Sequence, residues 1–182
     1  MSNTAIQFKE AINQCKMVFM DKMMDYGAAW RILRTSSLTD QIYIKANRIR
    51  SIQEKGISLV NEGFEPEFIG IVNYSVMALI QLELGRGESD DLNAKELESL
   101  YDKHIGVSES LMENKNHDYD EAWRNMRISS LDDIILMKLL RIKSIEDKKG
   151  ELKVSEGLDA NYQDIINYSL FALIKLAEES ET

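Results

Sequence analysis

The sequence is short of several things, and each shortage excludes something. Its single cysteine, Cys15, cannot close an intramolecular disulfide, which fits a reducing compartment. Two histidines and one cysteine make no cluster at zinc-ligand spacing. A glycine-rich phosphate loop and a nucleophile elbow are also missing, which removes most enzyme classes with a recognisable signature. No run reaches the roughly 18 apolar residues that a membrane span needs. The longest candidate, Phe68 to Leu84, is broken by Asn73, Ser75, Gln81 and Glu83. The opening MSNTAIQFKE places Lys9 and Glu10 where a signal peptide would be apolar. Positive charge is scarce: 22 Lys+Arg against 31 Asp+Glu give a net charge of −9. A general nucleic-acid surface or anionic-membrane surface is therefore not expected. Any anion must be held by a local cluster of cations. The expectation is a soluble cytoplasmic protein whose core needs no disulfide or metal.

What the sequence does have is a duplication. Residues 25–52 align without gaps to residues 118–145, with 16 of 28 positions identical at an offset of 93. After one inserted residue, FIGIVNYSVMALI (68–80) matches YQDIINYSLFALI (162–174), with seven identities in 13. Residues 1–86 and 94–182 are thus two copies of one unit, joined by a linker at 87–93 within the polar stretch RGESDDLN. Retention is uneven, since the segments before 25 and 118 share little beyond Lys22 and Lys115. Packing or a shared function could hold the retained segments fixed.

The apolar periodicity is helical. Ala5, Phe8, Ile12, Cys15 and Phe19 form a stripe over residues 4–24, and Leu97, Leu100, Tyr101, Ile105, Leu111 and Met112 form a looser one. A short turn is expected over AWRILR. Ser37-Leu-Thr-Asp40 and Ser130-Leu-Asp-Asp133 have capping-box spacing, which predicts helix starts near Leu38 and Leu131 and a length of about 17 residues. Residues 54–67 and 148–161 read as loops, with short extended pieces at 57–60 and 152–154. Pro66 suits a first helical turn. The last helix of each copy, Glu67–Leu84 and Tyr162–Ala177, is apolar nearly all round and should be central. The fold expected is all-α: one helical bundle formed by two tandem repeats about a pseudo-two-fold axis.

The candidate functional residues are polar ones kept in both copies. Lys22, Asp25, Tyr26 and Trp30 match Lys115, Asp118, Tyr119 and Trp123, with Arg31 and Arg124 just beyond. They read either as a binding rim, with an aromatic face for a base and cations for phosphate, or as a helix-terminal cap. Lys45 and Arg48 match Lys138 and Arg141, and at i, i+3 each pair shares a helix face, with Arg34 and Arg127 as possible neighbours. Burying such cations requires a partner, either Asp40, Asp133, Glu62 or Glu156, or a bound phosphate. Asn73 and Asn167 sit in otherwise apolar helices and need hydrogen-bond partners. Where copy one has Glu67 and Gly70, copy two has Asn161 and Asp164. Each copy therefore keeps one acid of an E-x-x-D pair of the kind that holds Mg²⁺. Cys15 and His104 read as packing residues, and His117 has no counterpart, since Met24 fills its place.

KMMDYGAAW, KANRI and VNYSVMALI, then KNHDYDEAW, KLLRI and DIINYSLFALI, resemble the motifs of the nucleotide-modification-associated domain, a small helical family. The order of motifs is also similar to that of MazG-like all-α nucleoside triphosphate pyrophosphohydrolases. That second resemblance implies Mg²⁺ held by acidic motifs, for which Asp164 is the best residue here. The sequence departs from both patterns: Gly70 replaces an Asp, Asp120 replaces a Gly, and Lys and Arg stand where the pyrophosphohydrolases carry acids on the middle helix. The expectation is a nucleotide-binding protein, hydrolytic only if Mg²⁺ can bind. A base would rest on Trp30 or Trp123, with phosphates on Lys45 and Arg48 or on Lys138 and Arg141. The alternative is a non-catalytic helical interaction module whose shared polar residues are structural. A small phosphorylated ligand is expected, with no nucleic acid and no membrane, in an intramolecular pseudo-dimer that leaves further self-association open.

Overall fold

The computed structural model of the protein describes residues 3–57, 63–148 and 157–180, and among them there is no strand. Copy one forms α1 (Asn3–Tyr26), a single 3-10 turn (Ala29–Ile32), α2 (Thr35–Lys55) and α3 (Glu65–Leu84). Copy two repeats the order with α4 (Ala94–Tyr119), a 3-10 turn (Ala122–Asn125), α5 (Ile128–Asp147) and α6 (Leu158–Ser180). The expected extended pieces at 57–60, apart from Ile57, and at 152–154 lie outside the described residues.

The central helices meet expectation. α3 buries twelve of its residues and carries Pro66 in its first turn. It packs on α6 across the pseudo-two-fold axis and on α2 within its own copy, and α6 packs likewise on α5. α3 is the one described helix long and apolar enough to cross a membrane, and here it is a core helix. α2 packs on α5 across the same axis, so four helices make the centre, with α1 and α4 laid against both α3 and α6. α1 buries Phe8, Ala11, Cys15 and Phe19, and α4 buries Leu97, Tyr101, Ile105 and Met112. Each fully buried large apolar side chain contributes about 1.5–3 kcal/mol.

The predicted capping boxes are not used. α2 and α5 begin three residues earlier than Leu38 and Leu131, at Thr35 and Ile128, with Arg34 and Arg127 as N-caps and no side-chain cap bond. The 3-10 turn supplies the reason: it delivers an extended residue to each start, and the carbonyls of Arg34 and Arg127 accept from Ser37 and Ser130 at 3.0 Å. Asp40 and Asp133 reach across the axis instead, to Lys143 (3.1 Å) and Arg50 (2.7 Å). A true capping box lies at the start of copy two. Asn93 accepts from the Glu96 amide and Glu96 accepts from the Asn93 amide, both at 3.0 Å.

α1 leads into its 3-10 turn through Gly27 at φ +61°. The matching Asp120 keeps the same left-handed turn at φ 50°, followed by Glu121 at φ 55°. Glu121 is held in place by Thr4 and by Arg124 (2.7 Å). The two arginines after the tryptophans are staples. Arg31, buried, binds Asp91 (2.8 Å), the Gly85 carbonyl (2.7 Å) and Gln81, fixing the linker to copy one. Arg124 binds Gln7 (2.7 Å), Thr4 (2.7 Å) and Glu178 (3.0 Å), tying copy two to α1.

Candidate functional site

The retained residues converge on two cavities related by the pseudo-two-fold axis, one in each copy. The copy-one cavity, about 370 Å³, lies between α1, α2 and α3, and its wall includes Phe19, Lys22, Lys45, Gly70, Asn73 and Tyr74. The copy-two cavity, about 310 Å³, lies between α4 and α6, and its wall includes the matching Met112, Lys115, Asp164, Asn167 and Tyr168. Both volumes sit at the small end of ligand pockets.

The cation pairs do not close on Asp40 or Asp133, while Glu62 and Glu156 lie outside the described residues. In copy two, Lys115 and Lys138 each place Nζ at 2.7 Å from one carboxylate oxygen of Asp164. Burial pushes the Asp164 carboxyl up, but the two lysine hydrogen bonds and their charges outweigh it and hold it below the ordinary 3.8. Arg141 is exposed on the outer face of α5. In copy one the acid has moved one turn along the helix. Glu67, buried, accepts from Arg48 at 2.8 Å and stands 3.5 Å from Lys45. Lys45 folds over Gly70, so that a Cβ there would meet its Cε at 2.5 Å. Lys22 is exposed at the cavity mouth and has no ion pair or hydrogen bond among the described residues.

The asparagines tie helices together. Asn73 donates to the Cys15 carbonyl (3.0 Å) and accepts from the Tyr101 hydroxyl (2.9 Å). Asn167 donates to the Ser108 carbonyl (2.9 Å), but its Oδ1 is buried without a partner, because the residue matching Tyr101 is Phe8. The aromatic candidates separate. Trp123 lines the copy-two cavity, with its ring stacked on Phe171 (4.3 Å, 6°) and the Arg124 guanidinium 4.5 Å from its centroid. The ring is thus packed by both groups, and its Nε1–H is buried without a partner among the described residues. Trp30 packs on Phe19 (6.5 Å) and is not part of the copy-one wall. Tyr119 borders the copy-two cavity, whereas exposed Tyr26 does not border the other. Asp25 and Asp118 are exposed, Asp118 beside His117 at 3.2 Å.

Asp164 already faces two ammonium groups and Glu67 a guanidinium, and no group of three or more His, Cys, Asp and Glu gathers among the described residues. Sequence reasoning missed three contributors: Tyr74 and Tyr168 in the cavity walls, and Glu67 as the partner of Arg48. The tyrosines follow the shared asparagines in N-Y-S of both copies, so the duplication itself carried that signal.

No curated protein and no solved structure matches the chain. A family model does, and it matches twice, over residues 22–82 and 115–176. Both segments open on the cavity lysines, Lys22 and Lys115, and run to the end of the central helices, leaving out most of α1 and α4. Together they cover more than half of the chain, which therefore belongs to the family of nucleotide modification associated domain 1 and carries that domain in two tandem copies.

Proposed function

We propose that the protein binds a small phosphorylated ligand of the nucleotide class at its duplicated lysine pairs, in at least one of the two cavities. The observation that carries this reading is the duplicated convergence of two lysines from different helices, Lys22 with Lys45 and Lys115 with Lys138, beside a tyrosine on the central helix. Ammonium groups on separate rigid elements suit the spread charge of a phosphate. The apolar wall (Phe19 and Met77 in copy one, Met112 and Phe171 in copy two) suits the flat part of a nucleotide. The family's description, nucleotide modification, points the same way.

Hydrolysis by the pyrophosphohydrolase route needs acids free to take Mg²⁺. Glu67 and Asp164 lie in different cavities and each is held by cations, so the function proposed is binding. A thermal-shift screen of nucleoside mono-, di- and triphosphates, with and without Mg²⁺, tests it. Ligand at about 100 times its Kd stabilises the fold by about 2.7 kcal/mol, a rise of roughly 5–10 °C for a chain of this size. The expected result is a shift that does not need Mg²⁺ and is lost when Lys22, Lys45, Lys115 and Lys138 are all replaced by alanine. A shift that requires both Mg²⁺ and a triphosphate would restore the hydrolytic reading, to be checked by pyrophosphate release. The second reading, an interaction module, is favoured by the exposed Ile44 on α2 and Met137 and Leu140 on α5. It predicts no shift across the panel.

A further inference from the structure

The two cavities differ at one decisive position. In copy two, a carboxylate grows from the central helix at Asp164 and sits between Lys115 and Lys138, 2.7 Å from each. In copy one the same position is Gly70, which brings no carboxylate to the matching Lys22 and Lys45 although all three line the cavity. Glu67 does not fill that role. It lies one turn earlier and is shared, pairing with Arg48 at 2.8 Å and with Lys45 at a longer 3.5 Å, so that it does not sit between Lys22 and Lys45. Lys22 is free among the described residues. Copy two has thus neutralised its own lysine pair, while copy one leaves the pair beside a space.

We infer that the copy-one cavity is the anion receptor of the protein and that Asp164 is a built-in occupant of the copy-two cavity. The phosphate of an external ligand sits over Gly70, between Lys22 and Lys45, where the Asp164 carboxylate sits between Lys115 and Lys138. Glycine at position 70 serves a purpose here: any Cβ would meet Lys45 Cε at 2.5 Å and take up part of the phosphate position. Lys45 is flexible and can swing from over Gly70 to the anion, in the way Lys138 reaches Asp164. The chain therefore binds one phosphorylated ligand rather than two. The ligand class rests on the function proposed above, whereas the choice of cavity rests on Gly70 and Asp164 alone.

Calorimetric titration of the full chain with inorganic pyrophosphate, and then with any nucleotide active in the thermal screen, tests this. One site per chain is expected. Gly70→Asp installs the internal carboxylate and should weaken pyrophosphate binding about tenfold to a hundredfold, the weight of a charge-assisted hydrogen bond. The double variant Gly70→Asp/Asp164→Gly keeps one acid and one open lysine pair, so it also controls for folding. It should again bind one pyrophosphate, with affinity now lost in Lys138→Ala instead of Lys45→Ala. Two sites in the unaltered chain, or binding unchanged by Gly70→Asp, would overturn the inference. Nucleotide binding that survives Gly70→Asp but is lost in Lys138→Ala would overturn it and leave the proposed function standing. Pyrophosphate bound over Gly70 with no nucleotide recognised would do the reverse, and no anion bound at all would remove both.

Discussion

Asp132 is fully buried at the α5 side of the α2–α5 contact, and neither of its carboxylate oxygens has a partner among the described residues. The matching residue in copy one shows what is missing. Thr39 bonds Glu146 (2.8 Å) and the Tyr162 hydroxyl (2.6 Å), whereas the counterpart of Tyr162 is Phe68, which offers no hydroxyl. Burial, reinforced by the neighbouring charge of Asp133 and only partly offset by Arg50, raises the Asp132 pKa from 3.8 to about 7. Its charged form is therefore disfavoured in the folded state. Between about pH 4 and pH 7 the unfolded chain has already released this proton while the folded chain still holds it, so stability falls as pH rises through that window. The whole interval corresponds to at most about 4 kcal/mol, since any relaxation admitting water reduces it. Asp132→Asn keeps the shape and removes the ionisation. It should leave stability near pH 4 little changed, add about 1–2 kcal/mol at pH 5 and about 2–4 kcal/mol at pH 8, the last roughly 5–15 °C in Tm. Chemical denaturation of both proteins at pH 5, 6, 7 and 8 reads the difference directly. Glu146, also raised by burial against its bonds to Thr39 and Tyr162, leaves a smaller residual slope in the variant. A gain that is the same at pH 5 and pH 8, or no gain at pH 8, would refute this account of Asp132.

Three other perturbations follow from the geometry. Asp164→Asn removes a carboxylate whose pKa is lowered by Lys115 and Lys138; its stabilisation is present above about pH 4 and lost as pH falls further. The variant should accordingly be less stable at pH 7 by about 1–3 kcal/mol, with the difference narrowing as pH falls below about 4, by denaturant titration across that range. Asp120→Gly relieves a non-glycine residue at φ 50° and should gain about 1 kcal/mol, read as a rise in the denaturation midpoint at an unchanged slope. Tyr101→Phe leaves the Asn73 carbonyl unpaired and should cost about 1–3 kcal/mol, while Phe8→Tyr offers Asn167 the donor it lacks and should stabilise the fold by about 1 kcal/mol; Tm measurements on both variants decide.

The helices were legible because burial writes itself as periodicity: Phe8, Cys15 and Phe19 in α1 and the unbroken apolar run of α3 could pack in few other ways. The starts of α2 and α5 were misplaced because Ser37 with Asp40, and Ser130 with Asp133, have capping-box spacing but different employment. Each acid has a better partner across the axis, in Lys143 or Arg50, and a cation about three helical turns and one repeat away leaves no mark on local spacing. The two cavities were half legible. The duplication singled out Lys22, Lys45, Asn73 and their counterparts, which the fold brings together. It also singled out Tyr26, Asp25 and Asp118, which point elsewhere, and Arg31 and Arg124, whose work is stapling a linker and a neighbouring helix. The loss of an acid at Gly70 was visible as a change of letter. That Lys45 lies across the vacated space was visible only in three dimensions.

That vacancy bears on why the lysines are present in both copies at all. If the lysines served only to staple helices, each would be expected to keep its carboxylate, because a mostly buried ammonium without a close anion loses hydration and recovers little. Lys22 alone decides nothing, since an exposed lysine costs almost nothing to leave unpaired. Lys45 is the informative one. Its side chain is 26% exposed, its nearest acid belongs first to Arg48, and the position that holds the acid for Lys138 has become glycine. A stapling role would favour methionine or leucine at such a site once the partner was gone, with the same helix-packing area and no charge to solvate. Retention of the ammonium where its own central-helix acid is glycine and the remaining acid is shared with Arg48 is the pattern expected where an external anion completes the site, and it singles out Lys45 as the residue whose replacement by methionine should raise Tm while abolishing anion binding.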